Sequence, residues 1–346
     1  MNSDALPAFD DGSRDVRADV ARFQAPILTK SLGQIATSLG CYLAVCAAAY
    51  LSFDVSVWLA LALTPLAAVF LVRTFIVQHD CGHGAFFKSR AANHVLGAVC
   101  SLLTLTPYLN WRRQHARHHG IWNNLDRRPS PADIYSTCFT VAEYRALSPW
   151  RQRWRRLVVH PVVANVLLPP FVFLVFYRWP FDAPRAWRRE RWSVHLTNVA
   201  IAGVVVGLGL SIGFGRIAAV QLPVIGAASI IGVWLFTVQH RFENAVWMRR
   251  DRWDASTAAL RGASYLSLSP ILRWITGNIG FHHIHHLNPR VPNYRLPECQ
   301  GAIPALSEVP AMSLRAGLRA PTAALWDEER ARMATFREVS RDLAPG

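Results

Sequence analysis

"SLGQIATSLGCYLAVCAAAYLSFDVSVWLALALTPLAAVFLV", residues 31–72, runs for forty-two residues with one charge, Asp54. At 1.5 Å per residue a helix of that length would reach about 63 Å, twice the hydrocarbon thickness of a bilayer. "SFDVS" (52–56) lies near its middle and has the composition of a turn. The stretch therefore predicts two membrane-spanning helices folded back on each other, at about residues 33–53 and 56–78. A second such stretch follows from Trp192 to Gln239, where the only fixed charge is Arg216, beside "GFG" (213–215). It predicts spans at about 193–213 and 216–239.

Two further apolar stretches, Ala91–Trp111 and Leu157–Tyr177, each have 21 residues without a fixed charge, but prolines interrupt them: Pro107 in the first, Pro161, Pro169 and Pro170 in the second. "RQRWRR" (151–156) precedes the second stretch and "RAWRRER" (185–191) follows it. A single crossing would strand one arginine cluster outside, against the positive-inside rule. Both stretches are therefore expected to enter and leave on one side, as re-entrant or surface segments. The predicted fold is all-α: an integral membrane protein of four transmembrane helices in two hairpins, with a cytosolic helical cap. The organisation expected is an N-terminal cytosolic segment (1–30), a main domain (31–300) and a C-terminal cytosolic tail (301–346). The composition of "LWDEERARMATF" (325–336) makes that tail helical in expectation.

Composition agrees with a membrane. The chain is 52% hydrophobic and only 17% charged, below the quarter usual for soluble domains, yet its formal net charge is +15. Apolar and basic together fit polar parts that face anionic headgroups. Nucleic acid fits poorly, because the arginines flank apolar runs and form no single stripe. Cys41, Cys46, Cys81, Cys100, Cys138 and Cys299 contain no CxxC and no paired framework, as expected of a reduced cytosolic face. Residues 1–34 carry Asp4, Asp10, Asp11 and Asp15 and no apolar core, so no cleavable signal is expected there.

Histidine is the other unusual feature. "HDCGH" places His79 and His83 at i, i+4. "HARHH" gives His115, His118 and His119, and "GNIGFHHIHHLNPRVPNY" (277–294) gives His282, His285 and His286 in the same HxxHH spacing, with His283 as an extra. With 13 histidines in 346 residues, one HxxHH is expected by chance roughly 0.02 times. On a helix i, i+3 and i+4 share a face, so each box is expected to aim its imidazoles at one point. Eight imidazoles exceed what one tetrahedral zinc takes, and no thiolate or carboxylate set accompanies them. Two octahedral ions with open positions would use most of them; iron fits that count, and copper and zinc stay open on ligand type. His240 follows the last span as His79 follows the first hairpin, and is a ninth candidate ligand. Asn278 is placed to bind through water or to orient a ligand. Imidazole ligands need partners to fix their tautomers, and Asp80, Asp126 and Glu243 are the nearest acids. His94, His160 and His195 border apolar segments singly and read as interfacial side chains, and His283 reads as supporting or exposed.

At these residues the chain resembles the membrane fatty acid desaturases, the histidine-box di-iron family, and most of all bacterial acyl-lipid desaturases. The matching stretches are "QHDCGHGAFF" (78–87), "WRRQHARHHGIWNNLDRR" (111–128), "DIYSTCFTVAEY" (133–144), "VQHRFENAVW" (238–247) and "GNIGFHHIHHLNPRVPNYRL" (277–296). The resemblance implies an enzyme with two non-haem iron ions and O2 as co-substrate, which removes two hydrogens from the acyl chain of a membrane lipid. It implies metal ligation by His79, His83, His115, His118, His119, His240, His282, His285 and His286. It also implies an external electron donor such as ferredoxin or cytochrome b5, since the chain has no haem-binding or cluster-binding module of its own. The chemistry agrees: an unactivated methylene has no acidic proton and no leaving group, so oxidising metal chemistry is required. An apolar tunnel should lead the acyl chain to the ions. Arg112, Arg113, Arg117, Arg127 and Arg128 are expected to bind headgroups or an acidic donor, or to serve as positive-inside charge. The neighbouring alternative is a fatty acyl hydroxylase or carotenoid ketolase of the same superfamily. A non-enzymatic metal-binder or transporter would need ionisable residues along its spans, and these spans are almost free of them.

Overall fold

The computed structural model describes residues 12–128, 134–135 and 137–341. Asp4, Asp10, Asp11, the side chain of Asp15, Asp133, Ser136 and residues 342–346 lie outside the described residues. Among the described residues four helices are long and apolar enough to cross a membrane: α1 (Leu28–Ser52), α2 (Val57–His83), α7 (Arg188–Ile212) and α8 (Phe214–His240). They form the two expected hairpins. The first turns at Phe53–Ser56, where the Ser56 hydroxyl accepts from the Trp58 amide at 3.2 Å and caps α2. The second reverses at Gly213, whose φ of 93° a side chain would oppose. The single charges of the two apolar stretches meet there: Arg216 pairs with Asp54 at 2.7 Å. Both turns therefore lie at one end of the molecule, and all the clustered histidines lie at the other.

Helices α2 and α8 are the inner pair. Ala67, Ala68, Leu71 and Val72 pack against Val220, Val224 and Ala228 in one buried cluster, with Tyr42, Cys46 and Ala49 of α1 alongside. Helix α7 is the outermost: Leu196, Val199 and Leu210 are 65%, 71% and 78% exposed. That much apolar surface on a long helix is a lipid-facing wall.

The two interrupted stretches do not form straight spans. Ala91–Trp111 divides into α3 (Arg90–Leu103) and the start of α4 (Tyr108–Ile121); at fourteen residues each, these helices extend about 21 Å. Leu157–Tyr177 falls within two helices, α5 (Pro149–Val158) and α6 (Val163–Arg178), bent by 49° at the break that holds Pro161. Helix α4 is seated on α2 by a missing side chain: a Cβ at Gly82 would come within 2.8 Å of the Trp111 ring.

The cap above the spans is mostly helical, with short strands. β2 (Tyr265–Ser267) pairs in parallel with β3 (Ala311–Ser313). The expected helix at 325–336 is not there. Leu325–Asp327 (β4) and Arg332–Ala334 (β5) form an antiparallel hairpin, and β4 pairs in parallel with β1 (Phe139–Thr140). Asp327 accepts from the Glu329 and Arg330 amides at 3.1 Å and so closes the turn. Trp326 and Met333 are buried beside Trp122 and Trp247. Tertiary pairing and burial outweigh the local helix preference of the intervening charged residues.

Candidate metal centre

Each histidine box ends or begins a regular element, and that element sets its direction. His79 and His83 occupy the last turn of α2, His115, His118 and His119 the second half of α4, His240 the last residue of α8, and His282, His285 and His286 the short helix α9 (His282–Leu287). The ring nitrogens of His79, His83, His115, His119 and His285 form one group, and those of His118, His240 and His286 a second. Within each group the atoms lie within 4.8 Å of one another. The first box aims at a single point, as expected; the second and third are divided. The reason is helical geometry: His115 and His119 differ by about 40° around the axis, but His118 is about 100° from His119. The adjacent pair His285–His286 is split in the same way. His282 belongs to neither group as defined, and its Nε2 lies 3.1 Å from that of His240.

The donor set fits metal ions better than hydrogen bonds. His240 Nε2 lies 3.1 Å from both His118 Nε2 and His282 Nε2. His119 Nε2 lies 3.2 Å from His115 Nε2 and 3.1 Å from His285 Nε2. One imidazole nitrogen carries one proton or one lone pair, so it can satisfy only one such neighbour. His83 Nε2 and His286 Nε2 are buried with no hydrogen-bond partner at all. A cation between convergent lone pairs satisfies every one of these atoms together. The lone pairs are free for it: burial, reinforced by neighbouring imidazoles, holds His115, His119, His282, His285 and His286 well below the usual histidine range. Burial, with His79 nearby, brings His118 down to about 3.

The candidate supporting residues separate clearly. Asp80 Oδ1 is 3.2 Å from His79 Nδ1, and both are buried. Asp126 instead pairs with Arg249 at 2.8 Å and accepts from the Arg250 amide on an exposed surface. Glu243 is 75% exposed and lies 3.9 Å from Arg332. Asn278 occupies a left-handed turn, φ 58°, half-buried ahead of α9. His283 is fully buried and its Nε2 contacts Gln300 Oε1 at 2.9 Å, outside both groups. His94 rests edge-on against Tyr108 and His195 against Trp192, also outside them, as is His160. Of the arginines, Arg112 donates to the Gly82 carbonyl at 2.8 Å, Arg113 pairs with Glu190 at 2.7 Å and Arg128 with Glu143 at 2.6 Å.

The aromatic walls were not legible as functional. Trp111 stacks on His115 with ring centroids 4.8 Å apart, and Trp122 sits 4.1 Å from His240 and 4.9 Å from His118. Their only signal in the sequence is a tryptophan four residues from a box histidine on either side.

Residues 56–314 match the fatty acid desaturase family. The chain belongs to that family. It is 40% identical to a fatty acid desaturase of Bacillus subtilis over 94% of this chain and 91% of that one. It is also similar to the sn-1 oleoyl-lipid 12-desaturase of a Picosynechococcus species, 25% identical over 80% and 76% of the two chains. A third relative is the sn-1 acyl-lipid omega-3 desaturase (ferredoxin) of a Synechocystis species, 29% identical over 68% and 64%. A fatty acid desaturase needs a place for an acyl chain, and this one has a cavity of about 450 Å³ between α2 and α8. Leu71, Val72 and Phe75 line one wall and Ile225, Ala228 and Gly232 the other. At the histidine end the cavity meets His79, His115, His118 and His282. Gln114, Arg117, Asp182 and Trp187 line its polar part, where Gln114 donates to Asp182 at 2.7 Å.

Proposed function

We propose that this desaturase inserts a double bond into the acyl chain of a membrane lipid, using dioxygen and a pair of iron ions held by the nine histidines. The observation that carries it is the position of the two nitrogen groups at the head of an apolar cavity that runs down into the spans. The overall change removes two hydrogens from adjacent methylenes. With O2, two electrons and two protons it yields an alkene and two waters. Iron supplies the oxidising chemistry that abstracts hydrogen from an unactivated methylene. The chain's own residues do the rest. Phe75, Leu71 and Val72 confine the alkyl chain and exclude water, so that one stretch of it lies against the histidine face. Trp111 and Trp122 pack on ligand rings and restrict their orientation. Asp80 accepts from His79 Nδ1–H and leaves Nε2 as the free donor atom. Asn278 is assigned a water-mediated or orienting role on this face.

The electrons come from an external one-electron carrier such as ferredoxin or cytochrome b5; the Synechocystis relative is named as using ferredoxin. The histidine face and the described termini are assigned to the cytosol of the inner membrane. The support is the arginines around α4, α5 and the start of α7, against a far end whose turns carry only Asp54 and Arg216.

Expression in a host that lacks the activity, with fatty acid profiling by mass spectrometry, tests the reading. A new double bond is expected in a membrane lipid. A new hydroxyl or keto oxygen would assign the chain to the hydroxylase or ketolase chemistry instead. Metal analysis of the purified protein should find iron at about two per chain, and copper or zinc in its place would sink the iron assignment.

A further inference from the structure

Asp80 is buried, and the only basic group paired with it among the described residues is His79. Its second oxygen is held from elsewhere in the chain. Asn293, in the "VPNY" that follows the third box, donates to Asp80 Oδ2 twice, from its backbone amide at 2.7 Å and its side-chain Nδ2 at 2.8 Å. The same Nδ2 donates its other hydrogen to Gln34 Oε1 at 3.1 Å, and Gln34 Nε2 donates back to Asn293 Oδ1 at 2.8 Å. Gln34 lies near the start of α1. All three polar side chains are buried, and both Asn293 amide hydrogens are spent. The neighbouring Tyr294 hydroxyl accepts from the Ile27 amide at 2.9 Å and meets Ser31 Oγ at 3.0 Å, and that hydroxyl in turn donates to the Phe86 carbonyl at 2.7 Å. Three distant segments are thus latched around one carboxylate.

We propose that Asn293 and Gln34 are positioning residues for the first nitrogen group, acting on His79 through Asp80; this rests on the metal-centre reading above. A buried carboxylate is stable where it is hydrogen-bonded and faces positive charge. The two Asn293 donors fix Oδ2, which turns Oδ1 toward His79 Nδ1. Nδ1–H then donates to Oδ1, and the lone pair on Nε2 is left for the ion. The amide of Gln34 fixes which edge of Asn293 faces Asp80. An aspartate at 293 has the same shape and no side-chain hydrogen to donate. It would place a second carboxylate beside Asp80 and push Oδ1 away from the ring.

The test is iron retention by the purified full-length protein in detergent, read as iron per chain and as the rate of loss to a chelator, alongside thermal melting. Asn293→Asp and Asn293→Ala should hold iron about tenfold or more less tightly, and Gln34→Ala a few-fold less. Asp80→Asn removes the carboxylate itself and should also loosen iron, and adding Asn293→Ala to Asp80→Asn should loosen it little further, because Asn293 acts on His79 only through Asp80. A merely structural Asn293 would instead add its own loss of iron to that of Asp80→Asn. Wild-type retention in Asn293→Asp, or additive losses in the double variant, overturns the proposal. Where Asn293 variants do not fold, Gln34→Ala decides, and unchanged retention there overturns it. Wild-type protein that takes up no iron overturns the metal-centre reading itself, a separate result.

Discussion

Neighbouring residues on a helix diverge by about 100°, and that angle decides what a His-His pair can do. His118 and His119 cannot serve one ion from a regular helix, and neither can His285 and His286. Each HH pair therefore divides its two rings between the two nitrogen groups. His118→Ala removes one donor from the group formed by His118, His240 and His286 and leaves the five-nitrogen group intact. It should abolish product and lower iron from about two per chain toward one. His285→Ala should do the same from the other group. His283→Gln, which touches neither group, should keep both irons; loss of an iron there would overturn the assignment of ligands. The same residues make the metal-free protein acid-sensitive. Burial brings His118 down to about 3 and His283 to about 4, against about 6.5 for an exposed imidazole. As pH falls below about 6.5 the unfolded chain takes up protons that the folded chain refuses, so stability is full above that pH and drops below it. The loss is about 1.4 kcal/mol per site per pH unit. Melting curves of iron-stripped protein should be flat above about pH 7 and fall steadily toward pH 4, less steeply in His283→Gln; a flat profile would contradict the burial of these rings. The box histidines were legible because spacing advertises them. Asn293, Gln34, Trp111 and Trp122 were not, because a single amide or indole carries no spacing and gains its role only from a contact across the fold.

At the scale of elements, apolar length and the positions of single charges were enough to find the four spans and pair them into hairpins. Asp54 and Arg216 stood out in sequence as isolated charges, and the fold joins them. What failed was the tail. The run from Leu325 to Phe336 has local helix-forming composition, but its partner strand is Phe139–Thr140, and no local rule can see that far. Asp126 faces Arg249 and Glu243 faces Arg332: closeness in sequence to a histidine does not say which way a side chain leaves the backbone. The hairpin matters to the site because Trp326 is buried against the cluster that holds Trp122, and Trp122 packs on His118 and His240. Trp326→Ala should cost about 3–5 kcal/mol of stability, seen as a lowered melting temperature. It should also loosen iron in the second group more than in the first. Equal loosening of both ions would mean that the hairpin supports the cap as a whole and not this wall.

At the scale of the whole molecule, one axis organises everything. The turns and their lone ion pair sit at one end, the histidines and most arginines at the other, and the cavity runs between α2 and α8 toward the histidines. Its shape is set by which residues are small. On the α8 wall Ala228 and Gly232 are one helical turn apart and face Leu71, Val72 and Phe75. A side chain at Gly232 would meet nothing within 4 Å at its Cβ position, so that glycine leaves open space in the cavity and is not needed for helix contact. The Cβ of Gly232→Leu therefore enters open space beside the cavity, and replacing a mid-helix glycine favours α8 by up to about 1 kcal/mol. The folded protein should keep its melting temperature and its two irons. Its room for alkyl chain falls, so the profile of desaturated products should shift to shorter chains, with the longest substrate lost first. Unchanged chain-length preference at full iron occupancy would place the acyl chain elsewhere, and the α2–α8 cavity would then be a packing void with no part in the reaction.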